Sequence, residues 1–372
     1  MKQKQMMRAW IGTTRYIYNR CLSAIKTDNE KINFQSLRNK FVTAKNNPNI
    51  QNWELETPKD IRAEAIRDLT KAYHVAMINL KNNNINKFDL KFRTKKKESS
   101  IAIPYTAISF KKNDKKLYIF KSYMKEPIKL SKDKSLKNIE INHTCRLKND
   151  KGKWFLYIPI KTKLKEIKPT NQACSLDPGI RKFQTIYSEK ETVKIIMNKD
   201  HIKKLQNKLD LFQSLRSKKL ISKSHYQRKI NKINHRFKNL IDDLHFQTIT
   251  YLTNTFKTIF IPKFESQELV RVNKLKKCRR DLLSLQHYTF QQRLMDKSKL
   301  KNGCKVMICT EEYTSKTCSS CGIINDKLGS NELFICKSCN LQIDRDINGA
   351  RNIFIKNVKE IDIESEKYFK NI

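Results

Sequence analysis

Four cysteines near the C-terminal end form two pairs with the spacing of metal-binding knuckles. Cys318 pairs with Cys321 and Cys336 pairs with Cys339, and 14 residues separate the two pairs. Two Cys-x-x-Cys knuckles at this distance can place four thiolates tetrahedrally around one Zn²⁺ ion. Because four thiolates leave no coordination position open, the pattern predicts a structural zinc ion rather than a catalytic one.

The segment between the pairs contains Gly329-Ser330-Asn331, which predicts a turn joining two short strands. The six other cysteines are scattered along the chain, as expected in a reducing compartment. We expect core or neutral positions for these six: Cys21, Cys145, Cys174, Cys278, Cys304 and Cys309.

Acidic residues in two distant segments could hold hard cations. Asp177 ends an apolar strand and precedes a Pro-Gly turn, whereas Asp344 and Asp346 stand at the start of a helix predicted near 347–357. A carboxylate at a strand end and another at a helix start can meet at Mg²⁺. In such sites two ions about 4 Å apart activate water and stabilise the leaving oxygen of a phosphodiester. The alternative is structural, with an aspartate at the helix N-cap and Asp177 in a turn.

The charge of the chain points to a polyanionic partner. Its 372 residues include 78 Lys+Arg and 36 Asp+Glu, a formal net charge of +42. The basic residues run through the whole chain, which is typical of an extended nucleic-acid surface, although a codon bias toward lysine would also raise the charge. No apolar run approaches 18 residues, and the polar start does not resemble a signal peptide. We therefore expect an intracellular protein with no membrane partner.

The hydrophobic pattern changes twice along the chain. Helical spacing extends from residue 8 to about 90, and Thr57-Pro58-Lys59-Asp60 predicts a helix start with Thr57 as the cap. From about 88 to 165 the period is two, which predicts a small antiparallel β unit with basic loops. After a charged connector over 161–170, alternating strands and helices predict an α/β unit. Strands are expected at 173–176, 193–197, 258–262 and 305–310, long helices over 199–256, and one basic helix over 278–300.

Three motifs resemble one family. Ser175 to Phe183 (SLDPGIRKF) is similar to the first RuvC-like nuclease motif of transposon-encoded TnpB proteins. Residues 313–322 resemble their zinc-ribbon signature, and 344–353 resemble their last nuclease motif, whose acid two positions before the Asn is the metal ligand. That acid is Asp346 here. Residues 16–19 and 64–69 look like the N-terminal helices of the family, so the resemblance covers nearly the whole chain.

The resemblance implies an RNA-guided DNA endonuclease that is related to type V CRISPR effectors. The implied fold is α+β and multidomain: an N-terminal helical bundle with a small antiparallel β-barrel-like unit, then an RNase H-like (RuvC) α/β domain with an inserted zinc ribbon. The implied domains are a helical recognition region (1–90), a β-rich wedge-like region for guide RNA and DNA (91–170), the first part of the nuclease (171–312), the zinc ribbon (313–343), and the last nuclease motif with the tail (344–372).

The implied cofactors are one structural Zn²⁺, two catalytic Mg²⁺ and a guide RNA, and the implied partner is double-stranded target DNA with a short flanking motif. A nuclear location is expected if the source is eukaryotic or a eukaryotic virus, and the cytoplasm or nucleoid otherwise. The pattern leaves monomer or dimer open. The alternative function is that of a catalytically impaired relative, which binds nucleic acid, with or without a guide RNA, but does not cut it. A transposase that joins DNA strands itself is a weaker alternative.

The third catalytic acid is where the sequence departs from the TnpB pattern. A Glu usually follows the middle strand directly, but here Pro262 stands there and Glu265 comes later, as in the Fanzor branch. In that branch a Glu just before the zinc ribbon takes over, which implies Glu311 or Glu312. Strand alternation would send these two to opposite faces, and we favour Glu311. Glu265 is the first alternative for the third acid, and Glu312 is the second.

Relatives usually have a β-strand before the helix that contains Arg8 and Trp10, so a start at Met1 predicts a β unit short of one strand. Four aromatic residues in the helical region could stack on bases, although core packing is the expectation for each: Tyr16, Tyr18, Trp53 and Tyr73. His245 and His287 are expected to be hydrogen-bonded histidines on helix faces rather than ligands.

Overall fold

The structure is a computed structural model that describes residues 2–43, 50–95, 99–111, 116–130, 140–263, 279–310, 312–326, 329 and 331–358. The chain has a mixed α/β fold and divides into two compact units, Met1–Lys161 and Thr162–Ile372. The division falls at the start of the charged connector predicted over 161–170. None of the described helices combines the length and the apolarity that crossing a membrane would require.

Helices dominate the first part of unit 1. Its α-helices are α1 (Lys2–Thr27), α2 (Phe34–Arg38) and α3 (Lys59–Lys81), with a π-helical turn at Asn39–Thr43 and a 3-10 helix at Asn52–Glu56. Helices α1 and α3 pack together through the apolar stripes that their sequences predict. Their shared core includes Ile17, Leu22, Leu37, Ile66 and Leu69, all buried.

The predicted cap of α3 is wrong. The N-cap residue is Pro58, and no side chain caps the helix. Thr57 instead ends the preceding 3-10 helix, where it is buried and its hydroxyl donates to the Thr13 hydroxyl of α1 at 2.8 Å. A buried hydroxyl needs a partner wherever it lies, and here a contact with α1 supplies that partner instead of the local cap.

Two three-stranded antiparallel sheets complete unit 1. One has the order β1-β5-β6 and the other β2-β3-β4. The strands are β1 (Ser99–Ile103), β2 (Ile108–Lys111), β3 (Lys116–Ile119), β4 (Ile128–Lys129), β5 (Cys145–Asp150) and β6 (Lys153–Tyr157). The predicted alternation holds at Ile101, Ile103, Leu117 and Ile119, which share one core. Tyr105 lies in a 3-10 turn rather than in a strand. The described strands form these two sheets and do not show a closed barrel.

A five-stranded mixed sheet with the order β10-β9-β8-β11-β13 forms the centre of unit 2. The strands are β8 (Asn171–Pro178), β9 (Gln184–Tyr187), β10 (Thr192–Ile195), β11 (Phe256–Pro262) and β13 (Lys305–Cys309). Strands β8, β11 and β13 are parallel, whereas β9 and β10 run antiparallel to their neighbours. Parallel strands end at the same edge of a sheet, so the chain leaves β8, β11 and β13 at one edge. Asp177 lies at that edge.

Helices cover both faces of this sheet. They are α4 (Lys199–Ser217), α5 (Lys223–Thr255), α6 (Arg279–Leu285), α7 (His287–Ser298) and α8 (Arg345–Asn357). Along β8, Leu176 packs with α4 to α7 on one face, whereas Ala173 packs with α8 on the other. Strand alternation therefore directs Ser175 and Asp177 toward α8. The two remaining sheets are two-stranded: β7 (Lys165–Glu166) with β12 (Lys301–Asn302), and β14 (Leu333–Ile335) with β15 (Gln342–Asp344).

The single helix predicted over 278–300 is wrong, because the described part of that segment forms two helices. The break lies at Gln286, whose φ of 51° is left-handed and cannot continue a right-handed helix. Cys278 lies outside the described residues.

An aromatic stack joins α5 and α7 to the turn after β8. Phe183 lies between the rings of His245 and His287, with 5.2 Å between ring centroids on each side and nearly parallel planes. His245 hydrogen-bonds the Leu285 carbonyl at 2.9 Å, and His287 hydrogen-bonds the Gly179 carbonyl at 3.1 Å. Both histidines are buried and hydrogen-bonded, as the sequence predicts, and His287 holds the backbone two residues beyond Asp177.

These histidines should make unit 2 sensitive to mild acid. Burial lowers the pKa of His245 and of His287 from 6.5 to about 4, so the folded state keeps both neutral while the unfolded chain protonates them. Stability is therefore complete above pH 6.5 and is lost as the pH falls toward 4. Between pH 6.5 and 5, above the range of most carboxylates, we expect each histidine to remove about 1.5 kcal/mol from the free energy of unfolding.

Urea unfolding at several pH values measures this loss. His287→Gln should reduce the slope of stability against pH, and His201→Gln, at an exposed position, is the matched control and should leave it unchanged. An equal slope in all three proteins would contradict the prediction.

Candidate functional site

The closest contact at the edge of the sheet joins strand β8 to helix α8. The Ser175 hydroxyl, which is buried, donates to the Ala350 carbonyl at 2.6 Å. A Cβ built on Gly349 would lie 2.5 Å from Oδ2 of Asp177, a distance that real Cβ atoms do not adopt. The Asp177 carboxylate therefore lies directly against the helix backbone, and the close approach depends on Gly349 having no side chain.

The same helix carries the second predicted acid. Asp346 precedes Gly349 by three residues, and residues at this spacing share one helix face. Asp346 thus projects one turn closer to the helix N-terminus than the point where Asp177 contacts the helix. The structure brings the end of β8 and the start of α8 to one edge of the sheet.

A buried hydroxyl without a partner lies beside Asp177. Thr185 of β9 is directly opposite Asp177 in the antiparallel pair, so both side chains project from the same face. Its Oγ1 is buried and has no hydrogen-bond partner among the described residues. Buried polar atoms normally have a hydrogen-bond partner. The Thr185 hydroxyl is therefore an unused donor and acceptor next to a carboxylate.

Asp344 and Asp346 have different surroundings. The Asp344 carboxylate accepts hydrogen bonds from the backbone N–H groups of Asp346 at 3.0 Å and Ile347 at 3.4 Å. It is therefore the N-cap of α8, as the structural alternative in the sequence analysis allows. Asp346 is in the first turn but does not cap. The capping role thus falls on Asp344, and Asp346, two residues later, is left as the predicted metal ligand of this segment.

Two lysines hold Asp344. Lys182 lies 2.7 Å and Lys194 lies 2.9 Å from its Oδ2, and Lys182 also reaches Oδ2 of Asp346 at 2.9 Å. Although partial burial acts in the opposite direction, hydrogen bonds from Lys182 and Lys194 lower the pKa of Asp344 to about 2. Burial opposes the charge of Lys182 as well, but Asp344 and Asp346 raise its pKa. Asp344 and Lys182 are therefore both ionised at neutral pH.

The third acid is not located by the structure. Glu265 and Glu311 lie outside the described residues. Glu312 is exposed in a turn, and β13 already ends at Cys309. The expectation that strand alternation would separate Glu311 from Glu312 is therefore wrong, because the strand does not extend to Glu312.

The four predicted zinc ligands come together. The sulfur atoms of Cys318, Cys321, Cys336 and Cys339 all lie within 4.8 Å of one another, and two of the distances are 3.6 and 3.5 Å. A tetrahedral zinc with Zn–S bonds of about 2.3 Å has sulfur–sulfur edges of about 3.8 Å. The cluster therefore fits a tetrahedral metal ion. Backbone N–H groups of Cys339 and Ser338 also lower the pKa of the Cys336 thiol to about 6, which favours the thiolate that a metal requires.

Both knuckles use the same backbone turn. Gly322 N–H donates to the Cys318 carbonyl and Asn340 N–H donates to the Cys336 carbonyl, each at 3.0 Å. Gly322 and Asn340 have positive φ of 77° and 58°, which glycine and asparagine adopt most readily.

The strands of this region do not meet where the sequence predicts. A hairpin of β14 and β15 encloses the second knuckle, and a Thr317–Ile324 bridge encloses the first. The segment 329–331 lies before β14 and does not join a pair of described strands, and Ser330 lies outside the described residues.

Two asparagines attach the first knuckle to α8. Asn348 accepts from Ser319 N–H at 3.0 Å and donates to the Thr317 carbonyl at 2.7 Å. Asn352, one turn further, donates to the carbonyls of Thr314 and Thr317 at 2.8 and 2.7 Å. The sequence did not predict these roles or those of Lys182 and Thr185. The spacing of two asparagines by four residues was the available signal for a shared polar face.

The aromatic residues of unit 1 divide into two groups. Tyr18 is buried, as expected for core packing, and Tyr73 is half-buried against Phe88. Tyr16 and Trp53 are exposed by 38% and 45% and form an edge-to-face pair with 4.9 Å between ring centroids. Core packing is therefore wrong for Tyr16 and Trp53.

Zinc content tests the cysteine cluster. We expect one zinc ion per wild-type chain and substoichiometric zinc in Cys336→Ser, because a serine hydroxyl is a poor replacement for a thiolate ligand. Elemental analysis by mass spectrometry measures this ratio. Cys304→Ser is the matched control, since Cys304 lies outside the cluster, and it should retain the metal. Unchanged zinc in Cys336→Ser would contradict a four-thiolate site.

Comparisons with known proteins agree with this arrangement. The family model described as "Cas12f1-like, TNB domain" matches residues 287–353. "TnpB-like protein L79" of Acanthamoeba polyphaga mimivirus is 29% identical over 94% of this chain and 70% of its own length. "CRISPR-associated endodeoxyribonuclease Cas12f1" of Sulfoacidibacillus thermotolerans is 37% identical over 22% of this chain and 19% of its own length.

A solved structure has the same fold. The chain in the "Cryo-EM structure of the Cas12f1-sgRNA-target DNA complex" is 17% identical, with a TM-score of 0.50 over 94% of this chain and 80% of that one. The chain is similar over most of its length to a TnpB-like protein, and its C-terminal part matches a Cas12f1-like domain, so the comparisons support a TnpB/Cas12f-like family.

Proposed function

We propose that the protein is an RNA-guided DNA endonuclease of a transposable element, with an RNase H-like (RuvC) nuclease domain in unit 2. The observation that carries the proposal is the position of Asp177. Its carboxylate lies against α8, one turn from Asp346, where the parallel strands of the sheet end. Relatives named as TnpB-like and Cas12f1 support the same assignment.

The donor set fits hard divalent cations. Mg²⁺ prefers carboxylate oxygens and retains several waters. The buried Thr185 hydroxyl, which has no hydrogen-bond partner among the described residues, is available beside Asp177. Asp177 and Asp346 would hold the ions, with Glu311 as the third acid. When bound, Mg²⁺ supplies Lewis acidity and an activated water for phosphodiester hydrolysis.

The chain's own residues provide the geometry for this chemistry. Gly349 allows the carboxylate of Asp177 to approach the helix, and Asp344 sets the first turn from which Asp346 projects. His287 holds the turn that follows Asp177 through the Gly179 carbonyl. Each of these contacts would orient a carboxylate of the proposed site.

Guide RNA and target DNA would bind through the cationic surface. A formal net charge of +42 favours a phosphate-rich ligand, and the exposed Tyr16–Trp53 pair offers ring faces and edges for base stacking. Base pairing would supply most of the sequence specificity, and the protein would read a short flanking DNA motif.

Loss of either aspartate should abolish cutting and leave RNA binding intact. The protein is purified with RNA co-expressed from its own locus and assayed on target plasmid with Mg²⁺ or with EDTA. We expect Asp177→Ala and Asp346→Ala to reduce cleavage by about 100-fold or more, the scale of losing one group that stabilises a transition state. Asp296→Ala removes an exposed carboxylate on α7 and is the matched control.

Wild-type cutting rates in Asp346→Ala would remove this acid from the site. Target binding without scission by the wild-type protein in Mg²⁺ would instead favour a catalytically impaired, guided binding protein. Joined DNA products would favour a transposase.

Three substitutions identify the third acid. We expect Glu311→Gln to lose cleavage and Glu312→Gln to retain it, because Glu312 is exposed in a turn beyond the end of β13. Glu265→Gln should also retain it. The same plasmid assay reports the result, and loss of cleavage in Glu265→Gln alone would move the third ligand to that residue.

A further inference from the structure

Lys182 is shared between a structural acid and a proposed metal ligand. Its ammonium lies 2.8 and 2.7 Å from the two carboxylate oxygens of Asp344 and 2.9 Å from Oδ2 of Asp346. The lysine side chain is only 16% exposed, so these contacts are partly shielded from solvent. The proposed metal ligand Asp346 thus already has a cationic partner when no divalent ion is present.

Asp344 has more cationic contacts than it needs as a helix cap. Besides its two backbone hydrogen bonds it accepts from both Lys182 and Lys194. It therefore offers Lys182 a second anchor close to the first. A small movement of the ammonium away from Asp346 would leave the Lys182–Asp344 contact intact.

We propose that Lys182 is a positioning residue that acts as an internal counter-ion of Asp346, and that Asp344 retains it when a divalent cation binds Asp346. The inference rests on the proposed function, since it takes Asp346 as a metal ligand. An ammonium ion and a divalent cation compete for the same carboxylate oxygen and repel each other at contact distance. Lys182 holds Asp346 in place before the metal arrives, and Asp344 keeps the displaced ammonium from remaining as a competitor.

The substitutions separate charge from capping. Asp344→Asn keeps a side-chain oxygen that caps a helix as well as aspartate does, but it removes the charge that attracts Lys182. Lys182 then pairs with Asp346 alone and competes more strongly with a divalent ion. Lys182→Gln removes the competitor itself, so the double variant should behave like Lys182→Gln.

Manganese binding tests this without cleavage. Zinc-loaded protein without RNA or DNA is titrated with Mn²⁺, and free Mn²⁺ is followed by electron paramagnetic resonance. We expect Lys182→Gln to bind Mn²⁺ about threefold or more tightly than wild type, and Asp344→Asn to bind it more weakly by a similar factor, the scale of one partly exposed ion pair. Adding Lys182→Gln to Asp344→Asn should restore tight binding.

Lys194→Gln is the matched control, because it also removes a cationic partner of Asp344, whereas among the described residues Lys194 forms no ion pair with Asp346. It should raise Mn²⁺ affinity less than Lys182→Gln does. Thermal melting compares the folding of each variant with that of wild type. A purely structural role for Asp344 would weaken Mn²⁺ binding in Asp344→Asn without recovery in the double variant, and that result would overturn the inference.

Asp346→Asn separates this inference from the proposed function. If it weakens Mn²⁺ binding while Lys182→Gln and Lys194→Gln have equal Mn²⁺ affinity, the inference about Lys182 fails and the proposed metal site stands. If Asp346→Asn binds Mn²⁺ as wild type does, the proposed metal ligand fails, and the counter-ion role of Lys182 fails with it.

Discussion

The packing of helix α8 on strand β8 is the contact on which the candidate site depends. Ser175 and Asp177 are two residues apart on the strand and face the same side, and they meet Ala350 and Gly349, which are neighbours on the helix. A buried hydrogen bond at one point and the absence of a side chain at the next set the distance between strand and helix. Any residue larger than glycine at 349 would have to displace the Asp177 carboxylate or the helix.

The same helix links the candidate site to the cysteine cluster. Asp344 is both the last residue of β15 and the N-cap of α8, while Asn348 and Asn352 hold the backbone of the first knuckle. Buried or partly buried hydrogen bonds therefore hold the first knuckle against α8. These contacts connect the cysteine cluster, a candidate metal site, to the helix that carries Asp346.

Neighbouring carboxylates repel each other, so they need local cations or a metal ion to remain close together, even in a chain of net charge +42. The structure separates two neighbouring aspartates by their partners. Asp344 is committed to backbone N–H groups and two lysines, whereas Asp346 shares one lysine and is more exposed. Within the short Asp-Arg-Asp segment, Asp344 thus has a structural role, and Asp346 is left as the acid that we propose as a metal ligand.

The sequence by itself determined the cysteine knuckles, the regular helices and strands, and the acidic motifs, because each depends on residue types at short, fixed spacings. The stripes around Ile66 and Ile101 and the strand before Asp177 needed no tertiary information. Only the tertiary structure decided that Thr57 bonds Thr13 instead of capping α3, that Gln286 breaks a helix, and that Lys182 lies between Asp344 and Asp346. The first and third of these outcomes depend on partners that lie tens to more than a hundred residues away along the chain, and the second depends on one left-handed backbone angle. Local patterns carry little information about such partners, because burial and charge in the folded protein decide which distant groups meet.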